Sequence, residues 1–247
     1  MEKHTRNKNE FLDINTMPNQ PGIILFPISI SRISNAQNAQ RCFTYMEQFI
    51  PKIRSPLVGL NVIYTDNLYL YSDEKAKILK NKFQSLINSH KFEFLKLVRK
   101  NLKYIPDSFS FSSWSQILLE SKEFLTHLGE LKKIFENDED FKKMVIKDIK
   151  LSGKEISENN INFILEEILL FYLIIKGKIR LVNDYVHDTQ EWILYCYPGK
   201  PLLSEIYLHQ KNFFKYKNKK NIYENSYYDL EVKKRYDYDT IDLETFI

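Results

Sequence analysis

Buried strands are written into this chain as short unbroken apolar runs, and helices as apolar residues spaced three and four apart. The first run, Ile23-Ile-Leu-Phe-Pro-Ile-Ser-Ile30, has no polar alternation before Ser29, the pattern of a strand covered on both faces in a parallel sheet. Asn35 to Ile53 follows with Cys42, Met46, Phe49 and Ile53 at helical spacing, and Leu57 to Asp66 reads as a second buried strand. Strand, helix and strand in this order predict a βαβ unit with parallel strands and a right-handed crossover. The stretch from Ser72 to about Tyr104 reads as one long helix or two stacked ones. Phe109-Ser-Phe-Ser alternates with period two as a short third strand.

Three further helices are expected over Ser115 to Phe135, Asp138 to Leu151 and Ser157 to Ile175. The last is apolar almost all round, which puts it at the centre of the fold, with Gly177 as its expected stop. A strand from Trp192 ends at Tyr197-Pro198, and a helix restarts at Pro201 and runs to about Phe214. This alternation predicts an α/β protein with a single Rossmann-like domain over residues 21–214, a mostly parallel central sheet flanked by helices. Residues 1–20 read as a polar leader, and 215–247, rich in Lys, Asn, Asp and Tyr without a clear period, as a polar C-terminal appendage.

Composition removes several classes. Six glycines and no Gly-rich loop leave neither a Walker loop nor a dinucleotide fingerprint. Cys42 and Cys196 lie in apolar contexts without metal-ligand spacing, so neither a disulfide framework nor a metal site is indicated, and a reducing cytoplasm is the expected compartment. The N-terminus is polar, and no apolar run reaches the ~18 residues of a bilayer span, so a soluble, unexported protein with no membrane partner is expected. The five histidines are scattered, which gives a Ser/His/Asp hydrolase no support. Net charge is a modest +4, yet the segment Asp73–Lys103 carries nine basic residues against Asp73, Glu74 and Glu93. Lys75, Lys77, Lys80, Lys82, Lys91, Lys96, Arg99, Lys100 and Lys103 make it +6 locally, and Lys96, Arg99, Lys100 and Lys103 share one helical face. Such a face binds phosphate backbones through charge, or is simply solvated.

In open α/β sheets ligands meet the carboxyl ends of the strands, which singles out Ser29 and Tyr197. Ser29 follows a buried strand and precedes a helix start, where backbone N–H groups stabilise an oxyanion and a hydroxyl can be acylated; the alternative is a loop serine, with Ser31 or Ser34 capping the helix. Glu167 sits in an otherwise apolar helix with Phe163 one turn before it. A carboxylate there must be paired, protonated or reserved for a cationic ligand such as an ammonium, with Glu166 as the solvent-facing neighbour. Tyr197 is either a hydrogen-bonding group at a site mouth or a core tyrosine.

Phe26-Pro-Ile-Ser29, Asn137-Asp-Glu-Asp-Phe-Lys-Lys143, Glu167-Ile-Leu-Leu-Phe171 and Tyr197-Pro198-Gly-Lys-Pro-Leu-Leu-Ser-Glu205 together resemble, in order and placement over roughly residues 23–210, the tRNA-dependent cyclodipeptide synthases. That family is similar in fold to the catalytic domains of tyrosyl- and tryptophanyl-tRNA synthetases but lacks their ATP-binding motifs. The resemblance implies Ser29 as the acylated nucleophile, Glu167 as the ammonium holder and Tyr197 as a positioning or proton-relaying group. It implies a substrate pocket including Leu25, Pro27, Phe163, Tyr195, Pro198 and Glu205, and a tRNA-binding surface on the basic helix. Pro27 replaces the family's usual glycine and Phe163 its tyrosine, and the Asn that usually follows the serine is missing. Tyr197-Pro198 matches the branch with Tyr-Pro in place of Tyr-His. The implied reaction joins two aminoacyl groups from two aminoacyl-tRNAs through a seryl aminoacyl-enzyme and a dipeptidyl intermediate. The tRNA ester is already activated, so no cofactor or metal is expected, and a monomer suffices. A non-catalytic RNA-binding α/β module, or a partner-binding protein without RNA, is the alternative from the residues alone.

Overall fold

The pleat of β1 (Gly22–Ile28), buried along its whole length, divides its side chains between two cores. Ile24, Phe26 and Ile28 enter one apolar cluster, Ile23 and Leu25 the other. A strand covered on both faces lies inside a sheet. In the computed structural model, which describes residues 22–49, 58–66, 76–101, 108–121, 123–175, 192–213 and 225–246, that sheet has six strands.

After β1 come α1 (Ala39–Phe49), β2 (Val58–Tyr64), α2 (Ala76–Lys100) and β3 (Ser108–Ser113), the βαβ unit expected from the pattern and a second one after it. The chain then lays down α3 (Trp114–Glu120), α4 (Phe124–Asn137), α5 (Glu139–Leu151) and α6 (Glu158–Ile175) before β4 (Trp192–Tyr197) and α7 (Leu203–Lys211). Two short strands, β5 (Ser226–Asp229) and β6 (Lys234–Asp237), finish the sheet. Strand order is β3-β2-β1-β4-β5-β6, all parallel except the β5–β6 hairpin. From β1 the chain moves outward through β2 and β3, then returns to β4 on the other side of β1. The strand order therefore reverses between β1 and β4, the place where open α/β sheets bind ligands.

The first core holds α1 and α2 against the sheet through Cys42, Phe43, Met46, Ile87, Phe94 and Val98. The second packs α3 to α7 on the opposite face around α6, whose residues from Phe163 to Ile175 are all buried except Glu167. The helix expected over Ser115 to Phe135 is two helices, α3 and α4, interrupted between Ser121 and Glu123. Asn38, not Ser31 or Ser34, caps α1, its side-chain oxygen accepting from the Arg41 N–H at 3.0 Å.

The largest departure is at the C-terminus, where a polar appendage is expected from Lys215. Residues 225–246 belong to the domain instead. β5 pairs in parallel with β4, and Tyr227 and Tyr238 are among the largest fully buried side chains. Ser226-Tyr-Tyr-Asp229 is too short to carry a strand signal, and pairing against β4 and β6 stabilises it. The leader 1–20, Gly177 and residues 214–224 lie outside the described residues.

Gly22 is required where β1 passes Trp192. A Cβ there would collide with the Trp192 ring. Gly22→Ala should lower unfolding free energy by about 1–3 kcal/mol through overpacking, measured by urea unfolding with an unchanged m-value.

Candidate active site

β1 and β4 are paired only from Gly22↔Trp192 to Leu25↔Tyr195. β1 continues to Ile28, still paired with β2, while β4 runs on to Tyr197 beside β5. Beyond Leu25 the two strands part. A cavity of about 360 Å³ opens in the gap, and Ser29, Ser31 and Arg32 after β1, Phe163, Glu167 and Phe171 of α6, and Tyr195 and Tyr197 of β4 line it. Leu151, Ser152, Lys154, Lys200 to Leu202, Glu205 and Tyr227 also line it.

Ser29, Glu167, Tyr197, Phe163, Tyr195 and Glu205 are thus brought to one cavity from segments up to 176 positions apart. Leu25, Pro27 and Pro198 are not among its lining. Leu25 is fully buried in the second core, since its side chain leaves β1 before the strands separate. Pro198 contributes its carbonyl, which accepts from Arg32 Nη1 at 3.2 Å. Glu166, expected to face solvent, is the more buried of the pair and accepts from Trp114 Nε1 at 3.3 Å, while Glu167 faces the cavity. Of the basic residues, Lys82, Lys96, Arg99 and Lys100 are exposed on α2. Lys91 instead turns inward over the rings of Tyr64 and Phe111. Lys77 and Lys80 fall on α2 by their backbone, and Lys75 and Lys103 lie outside the described residues.

Ser29 follows β1 directly with extended backbone and precedes a single 3-10 turn, Ile30–Arg32, rather than the longer helix start expected. Its Oγ is 3.1 Å from Ser31 Oγ. Tyr195 is held by stacking on Phe171, ring centres 4.4 Å apart, and by an edge contact to Tyr227 at 5.0 Å. Arg32 lies over the Tyr197 ring, 5.5 Å from its centre, so the guanidinium joins the ends of β1 and β4 across the gap.

The cavity mixes two carboxyls with three cations, Arg32, Lys154 and Lys200. Burial pushes the Glu167 carboxyl up to about 7; the Lys154 charge opposes the rise, Asp148 adds to it and Arg32 opposes it. The Lys154 ammonium rests 3.7 Å above the centre of the Phe163 ring, so carboxyl, aromatic face and cation occupy one corner. Glu205 is raised to about 8 by burial, against the hydrogen bond that Tyr238 Oη donates to its Oε1 at 2.8 Å. Asp148 of α5 is raised to about 6 by burial and caps α7, accepting from the N–H groups of Leu203 at 2.9 Å and Ser204 at 2.8 Å and from Ser204 Oγ. That cap fixes the start of α7 and with it Glu205.

Sequence reasoning missed Arg32, Lys154, Lys200, Tyr227 and Tyr238. Lys154 stands in Ser152-Gly-Lys-Glu155, a polar stretch indistinguishable from any loop, and the tyrosines sit in the segment read as an appendage. Among the described residues no group of three or more His, Cys, Asp or Glu is arranged to hold a metal ion, and no helix is long and apolar enough to cross a membrane.

No family model matches the chain, and no curated protein matches it in sequence. Its fold is similar to solved structures of cyclodipeptide synthases. One, from Bacillus thermoamylovorans, is 16% identical with a TM-score of 0.51, over 82% of this chain and 86% of that one. Another, from Staphylococcus haemolyticus, is 13% identical with a TM-score of 0.51, over 77% and 84%. A Mycobacterium tuberculosis protein, described as demonstrating that cyclodipeptide synthetases are related to type I tRNA synthetases, is 13% identical with a TM-score of 0.50, over 74% and 76%. At these identities the likeness establishes the architecture: the chain has the Rossmann-like fold of the cyclodipeptide synthases.

Asp148, Glu167 and Glu205 each hold their proton more tightly folded than unfolded. Their contribution is therefore most favourable at acidic pH and is lost as pH rises from the ordinary carboxylate range through about 6, 7 and 8 respectively. Glu205→Gln keeps hydrogen-bonding capacity toward Tyr238 and removes the ionisation. Calorimetry should find its thermal midpoint above wild type by several degrees at pH 8.5 and nearly equal to it at pH 5.

Proposed function

We propose that this chain is a tRNA-dependent cyclodipeptide synthase, an aminoacyltransferase that makes a 2,5-diketopiperazine from two aminoacyl-tRNAs, of the branch with Tyr-Pro. The observation that carries the reading is the meeting of Ser29, Glu167 and Tyr197 at one cavity, at the strand-order reversal of a fold shared with those enzymes.

Ser29 Oγ attacks the ester carbonyl of the first aminoacyl-tRNA. The Oγ–C bond forms, the bond to the terminal ribose oxygen breaks, and that oxygen leaves with a proton as the tRNA hydroxyl. Glu167, ionised, holds the aminoacyl ammonium in the corner beside Phe163 and orients the carbonyl toward Ser29. Its elevated proton affinity lets it accept a proton from that ammonium once the amine must become nucleophilic. The freed amine of the seryl-bound residue attacks the ester of the second aminoacyl-tRNA, forming the peptide bond and releasing the second tRNA. The amine of the new dipeptidyl ester then attacks the seryl carbonyl, closing the six-membered ring and returning the proton to Ser29.

Tyr197, held between the strand end and the Arg32 guanidinium, positions or relays protons at the mouth, where Pro198 has no side-chain proton to give. Glu205, protonated at neutral pH, adds a buried hydrogen-bond donor to the pocket. Phe163, Phe171 and Tyr195 supply an aromatic wall for an aminoacyl side chain. The exposed Lys82, Lys96, Arg99 and Lys100 on α2 take the tRNA backbone. α2 packs against the turn that follows Ser29, so a tRNA held there has its aminoacyl end within the same structural unit as the nucleophile.

Incubated with labelled aminoacyl-tRNA, the wild-type protein should gain the mass of one aminoacyl group at Ser29, and cells expressing it should release a diketopiperazine. Both signals should vanish in Ser29→Ala; an adduct that persists there removes Ser29 from its role. Binding without any adduct in the wild type would indicate an RNA-binding module instead. Replacing Lys82, Lys96, Arg99 and Lys100 together by Gln should weaken aminoacyl-tRNA binding at least tenfold and flatten its salt dependence, by roughly one unit of slope for each phosphate no longer neutralised. Unchanged binding would exclude this face.

A further inference from the structure

Beyond Leu25↔Tyr195 the edge of β1 that faced β4 has lost its partner strand, yet its backbone groups remain buried. Successive carbonyls of a strand point to opposite edges. The Ile28 carbonyl turns toward β2 and accepts from Thr65 N at 3.1 Å, so the Pro27 carbonyl and the Ser29 N–H point to the edge that β4 has left. The Gln37 side chain, fully buried, fills that place. Its Nε2 donates to Pro27 O at 2.9 Å, and its Oε1 accepts from Ser29 N at 2.9 Å. A primary amide offers the same donor and acceptor as the peptide unit of a neighbouring strand, so Gln37 continues the ladder with a side chain.

Gln37 is itself anchored. Its main-chain carbonyl accepts from His90 Nε2 of α2 at 3.0 Å, and Tyr64 Oη donates to His90 Nδ1 at 2.8 Å. The carbonyl only accepts, which places the imidazole proton on Nε2 and leaves Nδ1 for the tyrosine.

We infer that Gln37 is a positioning residue for Ser29: it stands in for the departed β4 backbone and holds the last residues of β1 so that the Ser29 hydroxyl meets the cavity. This rests on Ser29 as the acylated group. A misplacement of about 1 Å at a reacting atom can cost on the order of a hundredfold in rate, so a clamp one residue wide has leverage.

Gln37→Met keeps the length and removes both hydrogen bonds; Gln37→Asn keeps the amide on a stem too short to span both groups. Each should slow acyl-enzyme formation tenfold or more while the KM for aminoacyl-tRNA stays within twofold. Hydrogen–deuterium exchange at the Ser29 amide should become at least tenfold faster. If the Met variant does not fold, the Asn variant carries the same expectations. Acylation at the wild-type rate, or unchanged exchange at the Ser29 amide, overturns the inference. Absence of acylation in the wild type itself would count against the proposed function, and the exchange measurement would still decide whether Gln37 holds Ser29.

Discussion

The parting of β1 from β4 governs this molecule. Buried backbone groups must find hydrogen-bond partners, and here the β1–β4 ladder ends at Leu25↔Tyr195 although both strands continue. The gap is where the cavity lies. It leaves backbone groups of β1 that another part of the chain must satisfy, and the Gln37 side-chain amide does so at Pro27 and Ser29. Arg32, bonded to the Pro198 carbonyl and lying over Tyr197, ties the two strand ends across the opening. A site at this position follows from the topology, since strand order reverses only here.

Inside the gap, electrostatics is set by burial more than by pairing. Burial is the largest influence on Asp148, Glu167 and Glu205, and in each case it favours the protonated acid. Asp148 offsets the cost by capping α7 with three hydrogen bonds, a structural use of a buried carboxyl. Glu205, on the helix that cap fixes, is bonded by Tyr238, whereas Glu167 faces open cavity beside a cation and an aromatic ring. Three similar acids thus differ because their neighbours differ: one caps a helix, one is bonded by a tyrosine, and one is open to the cavity with its proton affinity raised toward neutrality.

The strands and helices were legible because their signals are local. A run such as Ile23 to Ile28 is buried whatever surrounds it, and a helix as apolar as α6 can only be central. Ser29, Glu167 and Tyr197 were legible because each interrupts such a pattern at a strand end or on a core helix. The break between α3 and α4 was not, since apolar spacing continues through it. Nor was the strand character of residues 226–237, too short to show a period and stabilised only by β4 and by each other.

The α/β class, the parallel βαβ start, the basic helix and the three polar residues that break apolar segments can all be read from the amino-acid order. These depend on periodicity and composition, which act over a few turns of chain. Tertiary packing alone put Leu25 in the core, made Glu166 rather than Glu167 the more buried of the pair, and brought Lys154 and Tyr227 to the cavity, Gln37 to the end of β1 and Tyr238 to Glu205. Those outcomes depend on where strands separate and which distant segment fills the space. Hydrogen-bond satisfaction between residues far apart in sequence leaves no periodic trace in the chain.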